Sequence, residues 1–168
     1  MDDHGLTRDE IIVPMTWVTG GQTGADRACM DVALEYGVRL QGFCPRQRMA
    51  EDGPIDDQYP LQAIDGDYDD RTRANVVLAD ATVIFYATDI RGGSALTRFI
   101  CDETKKPYLL LEIHQLSISD AVAALADFVE VHAVKRLNIA GPRASECAGI
   151  YAYVRSALSA FYLHAIKS

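Results

Sequence analysis

Five short β-rich runs recur along this chain, and a segment of helical periodicity follows each of them. That alternation is the strongest constraint on the fold. Successive βα units form a parallel sheet with helices on both faces, because neither layer can bury its apolar side alone. The runs are Met15 to Thr19, Leu40 to Cys44, Thr82 to Tyr86, Tyr108 to Ile113 and Leu137 to Ala140. After the first, Cys29, Val32, Ala33 and Tyr36 recur at helical spacing and Gly37 supplies a stop. Ser94 opens a helix with Leu96, Phe99 and Ile100 inward. Ser119 serves as an N-cap before Val122, Leu125, Ala126 and Val129, and a last helix runs from Glu146 to Ala165. The fold class expected is α/β: a single Rossmann-like domain with an open five-stranded parallel sheet. Right-handed βα units most simply give the strand order 2-1-3-4-5. Residues 1–14 read as a polar lead-in and residues 15–168 as the domain.

Two of the strand ends carry glycine pairs. The first turn is Thr19-Gly20-Gly21-Gln22-Thr23-Gly24-Ala25-Asp26-Arg27, and the second is Arg91-Gly92-Gly93-Ser94-Ala95-Leu96-Thr97. A strand that ends in Gly-Gly and runs into a helix presents backbone N–H groups and the positive end of the helix dipole, which suits phosphate. In the order 2-1-3-4-5 these turns face each other across one crevice. Candidate ligand-binding residues are Gly20, Gly21, Gln22, Thr23, Gly24, Asp26, Arg27, Gly92, Gly93, Ser94 and Thr97. Asn75, on the helix entering the third strand, and Arg143, after the fifth, join them as groups able to point at the same crevice. Neither turn is a Gly-x-Gly-x-x-Gly fingerprint or a Walker A loop, since no Lys-Ser/Thr follows the glycines.

The stretch from Arg46 to Tyr68 is polar, acidic and long for a connection inside a compact domain, which favours a functional loop. Its Glu51 and Asp52 are the candidate catalytic carboxylates if the chain is an enzyme.

With 49% hydrophobic and 24% charged residues the 168-residue chain suits one soluble domain. A net charge of −8 argues against nucleic acid and anionic membranes as partners. The apolar runs are too short to span a bilayer, and the acidic start has no signal-peptide character, so a cytoplasmic location is expected. Cys29, Cys44, Cys101 and Cys147 form no Cys-x-x-Cys pair, and the four histidines are scattered, so no metal site is expected.

These segments resemble the molybdenum carrier family, the circularly permuted branch of the SLOG superfamily. The residues that carry the resemblance are Gly20 to Arg27, Ala50 to Ile55 with Tyr59-Pro60-Leu61, Arg71-Thr72 with Asn75-Val76, Gly92 to Thr97, and Asn138 to Arg143. The resemblance implies a Rossmann-like fold, a homo-oligomer and a crevice for a small phosphorylated ligand. That ligand would be a nucleotide or, as in the molybdenum cofactor, a phosphorylated pterin. The same superfamily contains phosphoribohydrolases that cleave the N-glycosidic bond of nucleoside monophosphates. Their second glycine loop ends in a glutamate, where this chain has Phe99 or Ile100. The resemblance therefore implies a binding or carrier protein first. An N-glycosidase using Glu51 or Asp52 is the alternative.

Overall fold

The computed structural model describes residues 16–167, so the polar lead-in lies outside the described residues. Five strands form one parallel sheet: β1 (Thr16–Val18), β2 (Arg39–Gln41), β7 (Ala81–Tyr86), β8 (Tyr108–Glu112) and β9 (Arg136–Ala140). The helices are α1 (Ala25–Tyr36), α2 (Tyr68–Leu78), α3 (Gly92–Thr104), α4 (Ile118–Val131) and α5 (Ile150–Lys167). Helix α5 packs against both α1 and α4, and α2 packs against α3.

The fold is the expected α/β Rossmann-like one, but the strand order is β2-β1-β9-β7-β8 rather than 2-1-3-4-5. The last strand inserts between the first and third runs, with Leu137 opposite both Trp17 and Ala81. The physical reason is burial. Leu137 and Ile139 are almost fully enclosed, and so are Trp17 and Val83 beside them. A strand enclosed on both faces, as β9 is with Leu137 and Ile139 on one and Asn138 on the other, belongs at the centre of the sheet, not at its edge. Numbered from β9 instead of β1, the order becomes the Rossmann 3-2-1-4-5, which is what a circular permutation produces. The switch point, where ligands bind in such sheets, therefore lies between the carboxyl ends of β9 and β7.

Other boundaries also move. The second run is broken at Gly42 into β2 and β3 (Phe43–Pro45), and β3 leaves the main sheet to pair with β6 (Gln62–Ile64). The Arg46–Tyr68 stretch is ordered: β4 (Met49–Ala50) and β5 (Gly53–Pro54) form a hairpin. The Arg48 guanidinium gathers the carbonyls of Asp56, Tyr59 and Leu61 around itself. Ser117, not Ser119, caps α4, and α3 starts at Gly92 rather than Ser94. A 3₁₀ turn (Ala144–Glu146) precedes α5, which starts at Ile150. Phe99 points outward at 61% exposure, whereas Ile100 and Cys101 fill the buried side of α3 with Val76 of α2.

Candidate functional site

Three loops converge at the carboxyl ends of β1, β9 and β7. The loop after β7, Ala87 to Arg91, is shaped by the buried Glu112, whose carboxylate accepts the backbone N–H groups of Thr88 and His114. It delivers the chain to α3, whose N-cap Arg91 makes no side-chain cap and whose first turn contains no acid. Helix α2 is instead closed by a capping box between Asp67 and Asp70, and Ser117 caps α4. The two helices that follow the glycine turns, α1 and α3, are the ones without side-chain caps among these four. They are not equivalent, however. The Pro142 carbonyl accepts the Ala25 N–H, and Asp26 adds a carboxylate to the first turn of α1. Of the two, the start of α3 is therefore the one whose dipole no first-turn carboxylate offsets.

A crevice of about 280 Å³ runs along this terminus, lined by Gln22, Asp26, Tyr68, Gly93, Ser94, Gly141, Pro142, Arg143 and Glu146. On the β7 side it meets a cavity of about 510 Å³ at the switch point, which shares Ser94, Pro142 and Glu146 with it and is also lined by Arg91, Gly92, His114 and Cys147. Burial pushes the Cys147 thiol up from its usual value. Beneath the crevice lies a polar niche of about 40 Å³, reached past Asp26, Tyr68, Gly93 and Gly141. The two glycine turns thus border one depression, although β9 separates their strands and its own loop, Gly141 to Arg143, forms part of the lining.

The candidate residues distribute unevenly around this depression. Gly20, Gln22, Asp26, Asn75, Gly92, Gly93, Ser94, Thr97 and Arg143 line one or another part of it. Several are already committed to local bonds. The Gln22 side-chain oxygen accepts from the backbone of Thr23 and Glu51, and the Thr97 hydroxyl donates to the Gly93 carbonyl. Asn75 bonds both the N–H and the C=O of Phe43, imitating a neighbouring strand. The Arg143 guanidinium lies 2.9 Å from Glu146. Gly21 is enclosed by Leu61, Ile55 and Cys44, and Gly24 packs under the Pro142 carbonyl.

Thr23, Arg27, Glu51 and Asp52 face a different opening, shared with Gly24, Asp31, Tyr59, Ala144 and Tyr151. Arg27 holds Asp52 through two hydrogen bonds of 2.9 and 3.0 Å. Glu51 accepts from the Thr23 hydroxyl and from both the N–H and hydroxyl of Ser145. Donation from Ser145 and Thr23 holds the Glu51 carboxyl below its usual value, and Arg27 does the same for Asp52. A carboxyl whose value is lower folded than unfolded stabilises the fold above its unfolded value. That contribution is lost as pH falls through the folded one. The 49–54 hairpin is therefore expected to loosen below about pH 4. Amide exchange at Glu51 and Ser145 would report it, and a Glu51→Gln variant should lose much of that pH dependence.

Sequence reasoning missed Tyr68 and Arg71 as site residues. Arg71 is 6% exposed, donates to the Gly20 carbonyl at 2.8 Å and lies 4.6 Å from the centre of the Tyr68 ring. Tyr68 spans the crevice so closely that a Cβ on Gly93 would come within 2.1 Å of its hydroxyl. Burial raises the Asp26 carboxyl above its usual value, while the Arg71 charge pulls it back. No local signal marks Arg71, since an arginine four residues after the Asp67 cap on an acidic helix start reads as an ordinary solvated pair.

No membrane-spanning helix occurs among the described residues. A search of curated proteins returns no significant match. Among solved structures, the chain is similar to a putative molybdenum carrier protein from Syntrophus aciditrophicus SB, determined at 1.45 Å. The two share 38% identity with a TM-score of 0.85, over 88% of this chain and 94% of that one. A family description, the circularly permuted YpsA SLOG family, matches residues 17–162. Sequence match, permuted strand order and structural likeness agree, and the chain belongs to the circularly permuted YpsA SLOG family.

Proposed function

We propose that this protein binds a small phosphorylated ligand, nucleotide-like or pterin, as a carrier or sensor, with the phosphate over the N-terminus of α3. The observation that carries this reading is the acid-free start of α3 at the switch point, which lacks the side-chain cap that α2 and α4 both have. A helix start left without a side-chain partner inside a crevice attracts an anion through about half a unit charge and its first N–H groups. The buried Ser94 hydroxyl borders the same space. The similar structure's description as a molybdenum carrier supports a ligand-holding role.

Cleavage of an N-glycosidic bond by Glu51 or Asp52 is less well supported. Both carboxylates are engaged by Thr23, Ser145 and Arg27, face another opening, and are held ionised. We infer a homo-oligomeric state from the same resemblance, and a cytoplasmic location from apolar runs too short to span a bilayer. Native mass spectrometry tests ligand and assembly together. Protein purified without denaturation is expected to carry a phosphorus-containing small molecule on an oligomer. A ligand-free protein whose melting temperature no phosphorylated compound raises would overturn the reading.

A further inference from the structure

Arg71 and Asp26 present an arrangement that a phosphate site alone does not require. Both tips converge on Gly20: a Cβ there would lie 2.9 Å from the Arg71 Nη1 and 3.2 Å from the Asp26 Oδ2. Yet the two make no direct ion pair among the described residues, although such a pair is the ordinary fate of opposite charges this near each other. The Arg71 Nε is also buried without a hydrogen-bond partner. An almost fully enclosed guanidinium with an uncommitted N–H is costly unless something else completes it.

The niche these groups face is lined by Tyr68, Thr72, Asn75, Thr97 and Asn138 as well. At about 40 Å³ it admits the edge of a planar ring but not the ring itself. Its charges oppose one another, one guanidinium against one carboxylate, so a dianionic phosphate gains little there compared with the start of α3. A neutral group that offers an acceptor to Arg71 and a donor to Asp26 fits both.

We propose that Asp26 and Arg71 read the ring edge of the ligand, selecting a carbonyl next to an N–H. This rests on the phosphate-ligand reading above and adds the identity of the other end. Asp26 accepts from the ring N–H, Arg71 donates to the adjacent carbonyl, and the half-exposed Tyr68 ring lies at the mouth of the niche. A ring bearing an amino group beside an unprotonated nitrogen reverses both partners. It sets donor against donor and acceptor against acceptor, which recognition by buried polar groups penalises heavily.

Inosine monophosphate and adenosine monophosphate differ only at this edge, and titration calorimetry of the full chain with each is the test. The inosine nucleotide is expected to bind at least tenfold more tightly. In an Asp26→Asn variant, whose amide keeps an acceptor for the Gln22 N–H, the preference should fall to within about threefold. Equal affinity of the two nucleotides for the wild type would overturn the inference without any variant. So would a preference that survives Asp26→Asn, or failure of both nucleotides to bind. Inosine without phosphate separates the two readings. If it binds as well as its monophosphate, the phosphate assignment fails while ring selection stands. If both nucleotides bind equally and better than inosine, the reverse holds.

Discussion

A Gly42→Ala variant is expected to lose about 3–5 kcal/mol of stability. Gly42 has φ +144°, which an L side chain adopts only under strain, and its Cβ would lie 1.9 Å from the Thr19 carbonyl oxygen. The obstacle is backbone, so no rotamer change relieves it. Thr19 is itself pinned, its N–H bonded to the Gln41 carbonyl, while the Gly42 carbonyl accepts from Gln62. Relieving the clash means parting β1 from the β2–β3 corner and releasing β6 with it. Urea denaturation would show the loss as a lower midpoint at unchanged slope. A midpoint within error of the wild type would mean that the corner is soft and that glycine serves no steric purpose there.

Gly93→Leu is expected to remove ligand binding by at least a hundredfold while leaving the fold nearly intact. The contrast with Gly42 lies in what the new side chain meets. At Gly93 it meets the far end of Tyr68, a half-exposed side chain free to swing outward, and the glycine sits in the first turn of a helix. The cost to stability should be about 1 kcal/mol or less. The added side chain would fill the space over the start of α3, where the phosphate is assigned. Melting temperature and calorimetric affinity for inosine monophosphate, measured on the same preparation, check both halves. Unchanged affinity would place the ligand elsewhere on the molecule.

Much of this molecule is legible in its sequence, and the parts that are not share a cause. Strand and helix alternate in the sequence because each element's burial imposes its own periodicity locally. The glycine turns are visible because positive φ and close approach demand glycine at fixed places, as at Gly24, whose Cβ would strike the Pro142 carbonyl. Strand order is not encoded locally. The apolar face of β9 fits any central slot, and only its packing against Trp17 and Val83 selects the one between β1 and β7. The site follows the same division. Gly92, Gly93 and Ser94 were readable from a strand–turn–helix motif, whereas Arg71 looks like a surface residue of α2 until the fold folds it under Gly20. Glu51 looks like a free acid until Ser145, far along the chain, donates two hydrogen bonds to it.

The position of β9 also governs the order of events during synthesis. The ribosome delivers β1 and β2 early and β7 and β8 later, yet these two strand pairs share no hydrogen-bonded seam until β9 emerges. Up to that moment β1 and β7 each present an unpaired apolar edge, the kind of surface that invites chaperone capture or aggregation. The keystone comes late, and the crevice at the start of α3 closes with it, since the Gly141 loop follows β9 directly. Assembly of the sheet and competence to hold a ligand are thus one step, so a nascent chain stalled before Arg136 can have neither.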